Sequence, residues 1–236
     1  MLDVKYVLFD LDGTLLPMDQ EVFVKAYFGR LCQYMVPYGY DPEKLIQALN
    51  KGLKAMIIND GSMTNEARFW ESFRSIIPYS DQEYEHMIEF YETDFAVVKD
   101  AVGFEEDAKP VIEKIKTHYP MILATNPLFP RIATLKRIEW AGLDPNDFEY
   151  ITSYEPMHYC KPNIKYYEEL LEMLEIDPKD CLMVGNDVEE DMIVEELGMR
   201  TFLVDTCLMN PNNRDLSKYR KGKLKDLLTY LEIEDA

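Results

Sequence analysis

A chain of 236 residues with 47% hydrophobic and 29% charged side chains is long enough for one substantial core, or a core with a smaller attached module, and too apolar to be disordered. Its 25 Lys and Arg against 44 Asp and Glu leave a formal charge of −19, which argues against nucleic acid and anionic membrane as partners, since both reward dense positive charge. The same acidity sets a condition: an anionic substrate would need a site that is locally positive.

The N-terminal stretch MLDVKYVLFD is acidic and has no basic region ahead of a long apolar run, so no signal peptide is expected. No run approaches the roughly 18 apolar residues of a transmembrane helix. Cys32, Cys160, Cys181 and Cys207 form no CxxC pair and no zinc-type spacing. A reducing, cytoplasmic location is the expectation.

Residues 4–9 read as a strand buried on both faces. They run into Asp10-Leu11-Asp12-Gly13-Thr14, two carboxylates spaced i, i+2 and a glycine that lets the backbone turn sharply. Carboxylates so close repel unless a cation lies between them or one holds a proton. Ligands of open parallel sheets sit at the carboxyl ends of strands, which aims Asp10 into a site. An isolated turn rich in Asp and Gly would read the same way.

Residues 17–99 contain no strand candidate and about half of the chain's aromatic residues. Four helices are expected there. Asp19 caps the first, and Asp41-Pro42 supplies a cap and a helix-start proline for the second. Thr64 or Asn65 opens a third carrying Phe69, Trp70 and Phe73. Asp81 opens a fourth with Tyr84, Ile88, Tyr91 and Phe95 on one stripe. The aromatic density predicts a helical module with its own core.

Strand and helix then alternate. Ala108, Val111, Ile112 and Ile115 keep helical spacing, and residues 121–124 form a second strand ending in Thr125-Asn126-Pro127. That ending offers a hydroxyl and an amide, although it is also an ordinary way to leave a strand. Residues 150–152 form a third strand. Lys161-Pro162 precedes a helix on which Ile164, Tyr167, Leu170, Leu171 and Leu174 recur, placing a cation beside a helix start, as phosphate prefers. Residues 181–184 form a fourth strand followed by Gly185-Asn186-Asp187-Val188-Glu189-Glu190-Asp191, whose hard oxygen donors suit Mg²⁺. Residues 201–204 close the series. The alternation predicts an α/β fold with a Rossmann-like parallel sheet, helices on both faces, and an all-helical insertion after the first strand.

Asp-x-Asp-Gly-Thr, then Thr, then Lys-Pro, then Gly-Asn-Asp-x-x-x-Asp, in this order, resembles motifs I to IV of the haloacid dehalogenase-like superfamily, over nearly the whole chain. The insertion is similar to its C1-type cap, dividing the chain into a core of residues 1–16 and 100–236 and a cap of residues 17–99. The resemblance implies Asp10 as nucleophile, Asp12 as general acid and base, and phosphoryl oxygens held by Thr125 and Lys161 with Asn126 nearby. It implies Mg²⁺ on Asp10, the backbone carbonyl of Asp12 and an acid of motif IV. Motif IV commonly carries Asp directly after the glycine. Here that place is Asn186, so Asp187 is expected to face the metal, with Asp191 a further ligand or a support; a register shift of one would put Asn186 there instead. Dehalogenating members lack the second aspartate, and Asp12 is present, so phosphoryl transfer is the expectation.

The implied substrate is a small phosphorylated metabolite. A phosphomutase, a phosphonate hydrolase using Lys25, Lys51 or Lys54, and a non-enzymatic binding protein are the alternatives. His86 and His118 read as structural or solvated. His158 and Arg131 could approach the site, residues 59–65 are the cap loop expected to dip toward Asp10, and Arg68 could reach a second anionic group.

Overall fold

The computed structural model describes residues 3–78 and 81–233, and it pairs every expected strand within two residues of the predicted bounds. The strands are β1 (Tyr6–Phe9), β2 (Met121–Leu123), β3 (Tyr150–Ile151), β4 (Cys181–Gly185), β5 (Arg200–Val204) and β6 (Lys221–Gly222). All pair in parallel, in the order β3-β2-β1-β4-β5-β6. The sixth strand was not expected. It is two residues, Lys221 and Gly222, with no apolar pattern, and only its pairing with Leu203 and Val204 makes it a strand.

Side chains of a strand alternate between faces, and the core divides accordingly. Val7, Phe9, Leu123, Leu182, Val184 and Phe202 belong to one cluster, which also holds α5 (Ala108–Ile115), α6 (Arg131–Trp140) and α8 (Asp226–Tyr230). Leu8, Ile122, Ala124, Cys181 and Met183 face a second cluster built on α7 (Lys165–Met173) through Tyr166, Tyr167, Leu170 and Leu171. Helices on both faces explain why the strands read as unbroken apolar runs.

Between β1 and β2 stand the four expected helices. Asp19 accepts from the Val22 amide at 3.0 Å and starts α1 (Gln20–Met35). Asp41 accepts from the Lys44 amide at 2.9 Å and starts α2 (Pro42–Ile57). Thr64, not Asn65, caps α3 (Asn65–Arg74). The fourth, α4 (Asp81–Thr93), begins where expected, although the Asp81 side chain lies outside the described residues. Its buried stripe is Met87, Phe90 and Tyr91, with Tyr84 exposed and Ile88 only half-buried. A 3-10 turn, Phe95–Ala101, carries the helical segment two residues past the expected boundary. There Met18 bridges Val102, and the Gly103 amide donates to the Pro17 carbonyl at 2.7 Å, so the two connections lie side by side.

The expectation of a separate aromatic core is corrected. One cluster runs unbroken from the helical segment into the sheet. Phe23 and Tyr27 of α1 pack on Phe129, with ring centroids 6.0 and 5.4 Å apart, and Phe95 packs on Trp140 at 4.8 Å. Aromatics supply that continuity because each buries a large area and reaches across an interface.

Candidate active site

The strand order turns at β1, which has β2 on one side and β4 on the other. The crevice at such a switch point opens at the carboxyl ends of the strands. Asp10 follows β1, Thr125 stands two residues past β2, and Asn186 and Asp187 follow β4. Together with Asp12, Asn126, Glu190 and Asp191 they line a cleft of about 110 Å³ of water-accessible space.

Local geometry explains how five carboxylates share this space. Lys161 is buried beneath the cleft with its Nζ 3.0 Å from Asp10 Oδ1 and 2.6 Å from Asp191 Oδ1. Burial alone would lower the ammonium's pKa, but the two carboxylates outweigh it and hold the group well above the ordinary lysine value. Burial also pushes Asp191 up to about 7, against the pull of Lys161. The other oxygen of Asp10 lies 3.1 Å from the Thr14 hydroxyl, whose single proton is shared between it and Asn186 Oδ1 at 2.9 Å. Gly13 makes this possible: its φ is +90°, and a Cβ there would collide with the Asn186 amide. Gly185 has the same function for Asp191, whose carboxylate occupies the space of the missing Cβ.

Asp12 is paired with Arg137 of α6, an arginine that is 1% exposed and whose guanidinium lies 4.4 Å from the Phe129 ring centre. Burial pushes the Asp12 carboxyl above the ordinary range, with Arg137 pulling the other way. Arg137 binds Asp12 Oδ2, while Oδ1 is buried without a protein partner. Arg137 is the main polar residue that motif reading missed. Its signal was a cation at core spacing with Ala133, Thr134, Ile138 and Ala141.

The remaining candidates divide. Thr125 lines the cleft, and its carbonyl accepts from Thr152 and Tyr166. Asn126 clamps the Lys161 backbone in both directions and donates to Glu190 at 3.0 Å. Asn186 is engaged at both ends, by Thr14 and by the Cys207 carbonyl. Asp187 accepts from the Glu189 and Glu190 amides through Oδ1 alone, and Asp191 turns inward to Lys161, Tyr167 and the Asp187 amide.

Several expected neighbours lie elsewhere. His158 binds Glu169 on α7, His86 stacks near Tyr38, and His118 bonds at the end of α5. Arg131 donates to the Ile151 carbonyl and to Glu155. The loop 59–65 does not line the cleft; it packs on residues 154–159, through Asn65 to Met157 and Tyr159. Arg68 is held by Asp60 and Glu71. The helical segment instead reaches the cleft through Met18, Gln20, Phe23 and Val24.

Glu190 offers a pH test. Burial pushes its carboxyl up to about 7, with Lys161 pulling down. A carboxyl raised on folding stabilises the fold fully below its unfolded value, about 4.3, and the contribution is lost as pH rises through the folded value. In chelator-treated protein, thermal stability is expected to fall from about pH 4 to 7, and Glu190→Gln to flatten that fall. An identical slope in the variant would contradict the assignment.

A parallel sheet with a polar crevice at its switch point places the chain among the α/β enzymes whose ligands bind at strand carboxyl ends. A family model described as "Haloacid dehalogenase-like hydrolase" matches residues 7–204, and the chain belongs to that family of hydrolases. It is 23% identical to the pyrophosphatase PpaX of Bacillus cereus over 97% of this chain and 96% of that protein. Among solved structures it is similar to a 2-haloacid dehalogenase of Pseudomonas syringae pv. Tomato (19% identity, 97% and 98% coverage, TM-score 0.64). It is also similar to YfnB of Bacillus subtilis bound to magnesium (19%, 98% and 99%, TM-score 0.58). Among the described residues no helix is long and apolar enough to cross a membrane.

Proposed function

We propose that this hydrolase is a Mg²⁺-dependent phosphatase that cleaves a small phosphate monoester through an aspartyl-phosphate on Asp10. The observation that carries the reading is the pair of aspartates: Asp10 held between Lys161 and Thr14, and Asp12 held by Arg137 on one oxygen with the other free. An Asp10 oxygen attacks phosphorus, and the bond to the ester oxygen breaks as Asp12 gives that oxygen a proton. Asp12 then takes a proton from water, whose oxygen attacks the phosphorus. The bond to Asp10 breaks, inorganic phosphate leaves and both carboxyl groups are restored. Thr125 and Lys161 position the phosphoryl oxygens, and the lysine supplies the local positive charge that an acidic protein otherwise lacks.

The donor set fits Mg²⁺. Asp10, Asp187 and the Asp12 carbonyl offer only hard oxygens, and Mg²⁺ takes one or two carboxylates while keeping waters. When bound, Mg²⁺ supplies charge that offsets the repulsion between Asp10 and the phosphate. Asn186 has both ends of its amide engaged while Asp187 keeps one oxygen uncommitted, which favours Asp187 as ligand. Asp187→Ala is expected to weaken Mg²⁺ at least tenfold more than Asn186→Ala, read by Mg²⁺ titration of activity and of thermal stabilisation. The reverse order would move the ligand to Asn186.

The units in this reading are a catalytic core of residues 1–16 and 100–236 and a cap of residues 17–99. No lysine lines the cleft among the described residues, which removes the support for Schiff-base phosphonate hydrolysis. Steady release of phosphate from an aryl phosphate in the presence of Mg²⁺ tests the proposal. Isomerisation of sugar phosphates without net hydrolysis would make the protein a mutase, and neither activity would leave a binding protein.

A further inference from the structure

We propose that the leaving group of the substrate is small, uncharged and largely apolar, and that this chain discriminates against esters carrying a second anion. The inference rests on the phosphatase reading and concerns the side of the cleft that faces the catalytic aspartates. That side is formed by Met18, Phe23 and Val24 of the helical segment and by Leu128 and Phe129 of the loop after β2. Gln20, exposed at the rim, is its one polar side chain. In this proposal the ester oxygen of a phosphoryl group seated at Asp10 is directed toward that methyl, methylene and ring surface.

Charge gives the same answer. Among the described residues none of the side chains lining the cleft is cationic, while Asp10, Asp12, Asp187, Glu190 and Asp191 all line it. The two cations at its base are already engaged, Lys161 by Asp10 and Asp191 and Arg137 by Asp12. A phosphoryl dianion together with Asp10 and Asp187 already carries more negative charge than Lys161 and one divalent cation supply. A further carboxylate or phosphate on the leaving group would meet only like charge, and in a partly desolvated cleft like charges repel more strongly than in water. Arg68, the cap cation expected to reach a second anion, is tied to Asp60 and Glu71 away from the cleft. The room is limited as well: about 110 Å³ of water-accessible space must take the phosphoryl group and the cation besides the leaving group, which favours a small one.

Uncharged esters of increasing length test the apolar wall, and two anionic compounds test the charge. Wild-type protein with Mg²⁺ is assayed on methyl, ethyl, propyl and benzyl phosphate, on phosphoglycolate and on pyrophosphate, the last because the Bacillus relative is a pyrophosphatase. The expected result is a kcat/KM that rises from methyl to propyl phosphate, up to about fourfold per methylene, and exceeds that of phosphoglycolate and pyrophosphate by at least tenfold. Gln20→Arg or Val24→Arg is expected to shift the ratio toward phosphoglycolate. The proposal is overturned if wild type uses either anionic compound as well as propyl phosphate, or if the ratio is unmoved in both variants. Binding separates this from failure of the phosphatase reading. Propylphosphonate is expected to bind at least tenfold more tightly than phosphonoacetate by calorimetry. That order with no ester hydrolysed would support the wall and sink the phosphatase; no preference between the phosphonates would sink the wall.

Discussion

Asp10→Asn is expected to lower kcat below about a hundredth of wild type while leaving the fold intact, a barrier increase of at least about 2.7 kcal/mol. An amide oxygen is a poor nucleophile, and an acyl-phosphate cannot form on it as on a carboxylate. The substitution is nearly isosteric. Its oxygen can still accept from Thr14 or Lys161, which lie at 3.1 and 3.0 Å from the two carboxylate oxygens. One charge leaves a buried cluster that holds three carboxylates around Lys161 and Arg137, so the variant should melt near the wild-type temperature. The comparison requires phosphate release under saturating substrate and a melt of each protein. Retention of more than a hundredth of wild-type turnover in a folded Asp10→Asn protein would place the covalent step elsewhere.

Lys161→Met is expected to cost both activity and stability. Its Nζ is fully buried between Asp10 and Asp191, and methionine fills similar space without the charge. Removing one partner of a buried ion pair leaves the other uncompensated, which typically costs about 3–5 kcal/mol. For a chain of this size that corresponds to a drop in Tm of roughly 10 °C. Protonating Asp191, already pushed up to about 7 in the wild type, relieves part of the penalty. The deficit should therefore be larger at pH 8 than at pH 5. A variant that melts with the wild type at both pH values would show that Lys161 is not the counter-charge holding these carboxylates together.

The predicted activity loss for Lys161→Met is a separate readout. In the proposed reading the lysine positions the phosphoryl oxygens, so its loss should lower kcat/KM even under conditions where the variant is fully folded. The two effects divide cleanly at low temperature and mildly acidic pH, where the stability deficit is smallest.

The polar half of the site was legible because it is written locally. The strands β1, β2 and β4 are apolar runs, and residues just past them line the crevice, so Asp10, Asp12, Thr125 and Asp187 could be located by reading past the end of each run. The sheet itself was legible for the same reason: strands buried on both faces leave unbroken apolar stretches. Helix starts at Asp19, Asp41 and Thr64 were legible because a cap bonds an amide only a few residues away.

What tertiary structure decided are the approaches between distant residues. Arg137 meets Asp12 across 125 positions, and Thr14 meets Asn186 across 172, and no local pattern joins either pair. The short edge strand β6 exists only through its neighbour. The wall of the cleft is the plainest case. Met18 looks like a linker residue and Phe23 and Val24 like any apolar residues of an amphipathic helix, and the polar, glycine-containing loop 59–65 is by sequence the better candidate to face the substrate. Docking of α1 on Phe129 turns the first group into the crevice, and hydrogen bonds to residues 154–159 hold the loop away from it. Sequence by itself thus determined which strand ends bring polar and acidic side chains to the crevice, because that information is local. Which apolar surface lines the crevice was decided by packing, because it depends on how the helical segment is seated on the sheet.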